Sequence, residues 1–376
     1  MHIGLDARFL GESNSGLAQY SENLIQSLAR LDSRNRYTVF VNSRLTRRPK
    51  VGDNFSLVRV RGTPASVRGM ARLRLAMRRR DPVDLMHVHF PLAPWDRRPP
   101  VLITVHDVVP FSRASGGDRR VQFWDRIGGW FLYPMTMSRA KWILCVSHAT
   151  RDRLVSFFPE ALHKTIVMAS GVEDLYRKRT EKPTAELIRS RFQTPERYIL
   201  YSGSTGSAKN LPMMVEAFGR LLRRAPAAAG FEFALDLTGD LSGLDAIHAA
   251  IERARLRDRV RILTEVSPEE RHVLFEEARL LFIASKEEGF GFPALKAQLS
   301  GVPVVAADAG ALPEVCGEAA LLVDPDDPDQ MAEMLTQALF NEELRAYLIE
   351  KGRKNAARFS WDSTAKGVLQ VYELLF

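Results

Sequence analysis

The sequence predicts two α/β domains, each built on a mostly parallel sheet. Three observations carry this. The chain has 376 residues, more than one typical core takes and enough for two. Short apolar runs alternate with amphipathic helical stretches, and the alternation occurs twice. Between the two series, Glu173–Glu196 is polar, charged and carries Pro183 and Pro195, the composition of a linker. The expected domains are 1–178 and 190–358, with a closing helix over 359–376.

The first series reads as strands at His2–Asp6, Tyr37–Val41, Leu57–Val60, Asp84–His89, Val101–His106, Trp142–Ser147 and Thr165–Met168. The second reads as Tyr198–Ser202, Phe233–Thr238, Val260–Leu263, Leu280–Ala284 and Val302–Ala306. An alanine-rich stretch, Ala225–Gly230, reads as a loop, and no internal repeat stands out. Open parallel sheets bind ligands beyond the carboxyl ends of their strands, so the loops after strands are where site residues belong. With two such sheets facing each other, the expected site is a cleft between domains.

Composition narrows the function classes. Hydrophobic residues make up 45% and charged residues 26%, an ordinary globular balance. No apolar run reaches the roughly 18 residues that cross a bilayer, and the chain opens directly on a strand-like His2-Ile3-Gly4-Leu5, which predicts no signal peptide. Cys145 and Cys316 fall in different halves without metal-like spacing, and Cys145 reads as a core thiol, which suits a reducing cytoplasmic setting. The net charge of +8 calls for anionic company: a phosphorylated substrate, acidic lipid or nucleic acid.

The most informative stretch is Glu287–Glu314, EEGFGFPALKAQLSGVPVVAADAGALPE. Gly289 and Gly291 flank Phe290 in a tight loop, Pro293 opens a helix and Gly301 closes it. Glycines allow close backbone approach, and a helix N-terminus favours anionic groups such as phosphate. Glu288 adds one carboxylate to a pocket otherwise lined by amides. Amides for oxyanions beside a carboxylate for hydroxyls suit a phosphorylated sugar.

Three other loops carry candidates. Gly11–Gly16, GESNSG, follows the first strand but is not G-x-G-x-x-G, which argues against a dinucleotide fold and leaves a surface loop open. His106 ends a strand and precedes Asp107, where it can serve a sugar hydroxyl or be structural. Ser202–Asn210, SGSTGSAKN, leads into a helix, and Lys209 there can face a diphosphate or solvent. His87 and His89 share one strand face, yet no carboxylates accompany them to make a metal site.

Taken together, Glu288, Gly289, Phe290, Gly291, Pro293, Gly301, Pro303, Val304 and Val305 resemble the signature of the retaining, GT-B-fold glycosyltransferases of group 1, family 4. Gly4-Leu5-Asp6-Ala7-Arg8 and Arg358-Phe359-Ser360-Trp361 extend the likeness over nearly the whole chain. The resemblance implies two facing Rossmann-like domains and a C-terminal helix crossing back to the first. It implies transfer of a hexose from a nucleotide-sugar donor to a carbohydrate or lipid-linked acceptor, with retention and without a cofactor or required metal. It also implies roles. Glu288 holds sugar hydroxyls, Phe290, Gly291 and Phe292 offer amides, Lys209 faces the diphosphate and His106 holds the donor sugar. Gly16 leans over the phosphates and acceptor, Ser204 adjoins the donor and Val266 faces the base.

Two departures stand out. The family's arginine is missing at Ser204 and Ala208, and Lys296 replaces the second glutamate, whose carboxylate would accept from the ribose. An ammonium only donates, so Lys296 either compensates as a second diphosphate cation or marks a lost donor site. The same departures leave open a non-catalytic partner of an active transferase, since fold alone does not decide. A sugar-nucleotide epimerase fits the motif order less well.

Ser66–Arg80, SVRGMARLRLAMRRR, reads as a helix with Met70, Leu73 and Met77 on one stripe and Arg68, Arg72 and Arg79 opposite. This pattern fits a peripheral helix on anionic lipid, or an ordinary helix packing a narrow stripe. No aromatic platform or recognition motif supports nucleic-acid binding.

Overall fold

Parallel pairing runs through both halves of the chain. A computed structural model describes all residues except 11–15, 63, 65, 94–98, 109–132, 194, 240 and 376. The described residues fall into two units. Unit 1 runs to Gly171 and takes in the chain from Phe359, while unit 2 is Val172–Arg358.

Unit 1 holds β1 (His2–Ala7), α1 (Gly16–Leu31), β2 (Arg36–Asn42), β3 (Phe55–Val60), α2 (Val67–Arg78), β4 (Leu85–Val88), β5 (Val101–Val105), β6 (Ala140–Cys145), α3 (His148–Phe157) and β7 (Thr165–Val167). Its strand order is β3-β2-β1-β4-β5-β6-β7. β1 is buried along its whole length, as befits a central strand covered on both faces. Serines start the helices: Ser66 and Ser147 accept from the amides of Gly69 and Thr150, satisfying first-turn donors.

Unit 2 opens with α4 (Lys182–Phe192) and β8 (Tyr198–Gly203), then α5 (Leu211–Arg224), β9 (Glu232–Leu237), α6 (Leu244–Ala254), β10 (Val260–Leu263) and α7 (Pro268–Glu277). It continues with β11 (Leu280–Ile283), α8 (Phe292–Leu299), β12 (Val304–Ala307), α9 (Leu312–Cys316), β13 (Leu321–Val323), α10 (Pro328–Phe340) and α11 (Glu342–Ala356). The strand order β10-β9-β8-β11-β12-β13 reverses between β8 and β11. In unit 1 the same reversal falls between β1 and β4. Such switch points open crevices at the carboxyl ends of the strands.

The last helix, α12 (Trp361–Glu373), packs in unit 1 against α1, where Arg30 pairs with Asp362. Its path needs a glycine at 171 and runs close to the flexible Met168 side chain at Gly367. A Cβ on Gly171 would lie 2.2 Å from the Trp361 backbone nitrogen, and one on Gly367 would lie 2.5 Å from Met168 Sδ. Thr364 Oγ1 donates to the Ala169 carbonyl at 2.9 Å. The closing helix therefore belongs to the first unit, as the resemblance implied.

The predicted strands form with ends shifted by one or two residues; the ladder expected from Val302 starts at Val304, after Pro303, which has no N–H to give. Two expectations are corrected. Glu173–Glu196 is not a linker, because the division falls between Gly171 and Val172. The segment carries a 3₁₀ turn, Asp174–Arg177, and α4, which Ile188 and the pairs Arg189–Glu277 and Arg191–Glu270 fasten to α7. The first domain thus ends before 178 and the second starts before 190. β13 was not foreseen, and Pro226–Gly230 in the alanine-rich stretch forms a 3₁₀ turn.

Candidate functional site

Unit 2 brings two predicted residues together at its switch point. β8 ends at Gly203, where a Cβ would meet the Tyr201 hydroxyl at 2.7 Å. That hydroxyl donates to the Ser204 carbonyl at 2.7 Å, which fixes the first turn of the loop. The loop closes through a 3₁₀ turn, Ser207–Lys209, into buried Asn210 at φ 61°. Asn210 Nδ2 donates to the carbonyls of Ala284 at 3.1 Å and Pro325 at 2.7 Å. The Lys286 amide donates to the Ala208 carbonyl at 2.8 Å. The loop after β8 is thereby sewn to the loop after β11, and Lys209 Nζ sits 2.6 Å from Glu288 Oε2.

The backbone of Glu288 is equally constrained. Its carbonyl accepts from Ala311 N at 2.9 Å. Gly310, at φ +57°, lies so close that a Cβ would stand 2.7 Å from that carbonyl oxygen. Gly291, at φ +99°, turns the chain into α8. Phe290 is buried and meets Phe292 edge-on, ring centroids 5.0 Å apart. Both glycine-rich loops thus hold a partly buried cation–carboxylate pair beside a helix start. Such a pair offers a fixed charge for an anion and an acceptor for hydroxyls.

A second, deeper network surrounds Val266 and Lys296. Glu265, a non-glycine at φ +58°, turns the chain so that the Val266 carbonyl accepts from Arg271 Nη2 at 3.0 Å. Arg271 pairs with Asp236 at 2.6 Å, and Asp236 also accepts from Ser202 Oγ at 2.6 Å. Lys296 is only 4% exposed. Its ammonium lies 3.2 Å from Glu173 Oε1 and 5.0 Å from the centre of the Tyr176 ring. Burial, the largest single influence, pushes its pKa down, but Glu173 and Tyr176 together outweigh it and the net direction is up. The structure thus places Lys296, expected as a replacement diphosphate cation, against Glu173 and the Tyr176 ring. Sequence reasoning missed Glu173, Tyr176, Asp236 and Arg271. Asp236 inside the apolar run Phe233–Leu237 was the available signal, since a buried carboxylate demands a partner.

In unit 1, His106 follows β5 and packs edge-on against Tyr20, ring centroids 4.5 Å apart. Burial pushes its pKa down to about 3, with the neighbouring His89 ring adding to the fall; a hydrogen bond to the His89 backbone opposes it. The ring is therefore neutral, and its buried Nε2 has no hydrogen-bond partner among the described residues. His87 is engaged at both nitrogens, by the Tyr372 hydroxyl at 2.7 Å and Thr104 Oγ1 at 2.9 Å, and His89 Nδ1 meets Ser21 Oγ at 2.9 Å. The H-x-H pair is core polar structure joining α1 and α12 to the sheet. Among the described residues, no group of three or more His, Cys, Asp or Glu is placed to hold a metal. Gly16 opens α1 and is exposed, whereas Gly11–Ser15 lie outside the described residues.

α2 forms as expected, and its apolar stripe is committed inward. Met70 and Leu73 are buried in the unit 1 core and Met77 packs against it. Arg8 Nη1 donates to the Gly69 carbonyl at 2.8 Å. Arg68, Arg72 and Arg79 are exposed. No helix among the described residues is long and apolar enough to cross a membrane.

Comparison with known proteins follows the same division. Residues 185–355 match the family described as glycosyl transferases group 1, and residues 14–174 match glycosyltransferase family 4. The chain is similar to the O-antigen chain mannosyltransferase B of Escherichia coli, 28% identical over 64% of this chain and 62% of that protein. It is similar to the D-inositol 3-phosphate glycosyltransferase of Salinispora arenicola, 35% identical over 50% of this chain and 43% of that one. The matches thus span less than two thirds of these relatives' lengths. Among solved structures, sucrose-phosphate synthase of Thermosynechococcus elongatus superposes with a TM-score of 0.77 at 19% identity, covering 100% of this chain and 99% of that one. HepE of Anabaena in complex with UDP-glucose gives 0.74 at 16% identity, covering 99% of each. At these identities the superpositions establish the GT-B fold.

Proposed function

Because the chain belongs to the group 1, family 4 glycosyltransferases, we propose that it moves a hexose from a nucleotide-diphosphate sugar to a carbohydrate or lipid-linked acceptor with retention. The observation that carries this reading is the Lys209–Glu288 pair, held between two glycine-shaped loops at the switch point of unit 2. The E. coli relative, named for O-antigen, supports a role in cell-surface polysaccharide or glycolipid synthesis.

Lys209 turns from Glu288 to the diphosphate and neutralises charge on the departing nucleotide. Glu288 then accepts from sugar hydroxyls, and the start of α8 at Gly291 and Phe292 directs backbone dipoles at the phosphates. Phe290 packs beneath that turn, Ser204 lies beside the donor and Val266 meets the base. In unit 1, His106 Nε2 serves a sugar hydroxyl, and Gly16 is assigned to the donor phosphates and the acceptor. The bond from the anomeric carbon to the diphosphate breaks as the bond to the acceptor oxygen forms on the same face. The acceptor proton passes to the departing diphosphate oxygen. The chain's part is position and charge, with no metal required.

Location at the inner face of a membrane rests on α2. With its apolar stripe buried, attachment is electrostatic, through Arg68, Arg72 and Arg79 to anionic lipid. A thermal-shift screen against UDP, GDP, ADP and their hexose derivatives tests the donor class. Stabilisation by one base series is expected, and stabilisation by none contradicts the reading.

A further inference from the structure

The buried pair of Glu173 and Lys296 has a loose end. Glu173 Oε1 faces the Lys296 ammonium at 3.2 Å, but Oε2 is buried and has no hydrogen-bond partner among the described residues. A buried carboxylate oxygen without a donor is costly to a fold unless something else supplies one. The side chain of Glu173 retains 22% exposure, so its edge is at the surface, and an incoming group reaches Oε2 once the neighbouring side chains shift. Its aim is tightly set. Lys296 holds one oxygen from α8, the Tyr176 ring backs the ammonium at 5.0 Å, and Tyr176 packs edge-on against His272 and Phe275 of α7. Arg271, near enough for its charge to act on Lys296, donates to the Val266 carbonyl at 3.0 Å.

Within unit 2, Arg271 links Val266 to the Glu173–Lys296 pair, whose lysine lies on the helix that follows the loop of Glu288, the partner of Lys209. Lys296 and Glu288 are joined through α8, with Lys296 about 6 Å along the helix from its start at Phe292. A cation, two carboxylates and a backbone carbonyl match a ligand carrying hydroxyls on both sides of a diphosphate. Lys296 has donors only and does not read a hydroxyl pair as an acceptor, whereas a carboxylate accepts from two vicinal hydroxyls.

We propose that Glu173 reads the ribose hydroxyls of the nucleoside diphosphate, and that Lys296 positions it rather than touching phosphate. Lysine at 296 then does not empty the donor site of a ribose acceptor, because it brings in a carboxylate from the start of unit 2. The inference rests on the nucleotide-sugar reading above, and the following test separates the two.

Calorimetric titration compares UDP, GDP and ADP with their 2′,3′-dideoxy counterparts on the wild type, Glu173→Gln and Lys296→Arg. Hydrogen bonds to a charged acceptor predict that the wild type prefers the ribose form by about ten- to a hundredfold. Glu173→Gln should lose most of that preference while its affinity for the dideoxy form stays close to wild type. Lys296→Arg, which keeps the cation, should retain the preference. A purely structural pair would weaken ribose and dideoxy forms by the same factor. If Glu173→Gln does not fold, Glu173→Asp retracts the carboxylate by one methylene and should lose the preference likewise. An undiminished ribose preference in the Glu173 variant, or none in the wild type, overturns this inference alone. Failure of every nucleoside diphosphate to bind the wild type overturns both readings.

Discussion

Lowering the pH from 7.5 to 5.5 should destabilise unit 1. His87, His89 and His106 lie together in its interior, and burial depresses all three, His89 and His106 to about 3. In the unfolded chain each returns to about 6.5 and binds a proton over this range. The unfolded state then holds more protons than the folded state, so stability is complete above pH 6.5 and falls as the pH drops towards 3. Going from 7.5 to 5.5 costs about 1.4 kcal/mol for each histidine, and about 4 kcal/mol for the three together. That figure depends only on the folded values lying well below 5.5. It is a large share of the roughly 5–15 kcal/mol that holds a typical domain together. Trp142 and Trp361, the tryptophans among the described residues, lie in unit 1, and the sequence has no tryptophan between residues 172 and 358. Urea unfolding followed by tryptophan emission therefore reports this unit. The midpoint should fall markedly at pH 5.5, and His89→Asn should remove about a third of the fall. A midpoint equal or higher at pH 5.5 would refute the idea that the three rings are buried neutral.

Other perturbations probe the remaining claims. Gly310→Ala must escape both a φ of +57° and a contact of 2.7 Å with the Glu288 carbonyl. It should cost about 1–3 kcal/mol and lower donor affinity, and an alanine variant binding donor normally contradicts the constrained loop. Lys296→Glu sets two carboxylates against each other where one ion pair was buried, so it should destabilise unit 2 by about 3 kcal/mol in thermal or urea unfolding. Equal stability would show the pair to be unimportant. Vesicles containing anionic lipid should bind the protein in a salt-sensitive way, by about 1 kcal/mol for each arginine reversed among Arg68, Arg72 and Arg79. Equal partitioning to neutral vesicles counts against this.

The fold was legible because buried parallel strands are short apolar runs, and twelve of them stood out between turn residues. β13 escaped because three residues, Leu321–Val323, are too few to show a period. α4 escaped because ion pairs hold much of it: Leu187 is exposed, Ile188 is buried, and charge pairing leaves no periodic apolar signature. At the site, Lys209 and Glu288 were visible in glycine-rich context, and the sheet order explains why they meet. The partnership of Lys296 with Glu173 was not legible, since the two residues are 123 positions apart and neither lies in a pattern that names the other. The arginine helix was half legible. Its stripe was correct, but sequence alone does not say whether lipid or the protein's own core takes it.

The proposed donor site divides its labour, with Lys209 on the diphosphate and Glu288 on the transferred sugar. The direct measurement is calorimetric titration of the preferred nucleoside diphosphate and its hexose derivative into the wild type, Lys209→Ala and Glu288→Gln. Loss of Lys209 should weaken both ligands by about ten- to a hundredfold, the worth of a charge-assisted contact. Glu288→Gln frees the Lys209 ammonium from its carboxylate, so affinity for the bare diphosphate should hold or rise while the gain from the hexose disappears. Equal effects of Glu288→Gln on both ligands, or unchanged binding by Lys209→Ala, would contradict the assignment.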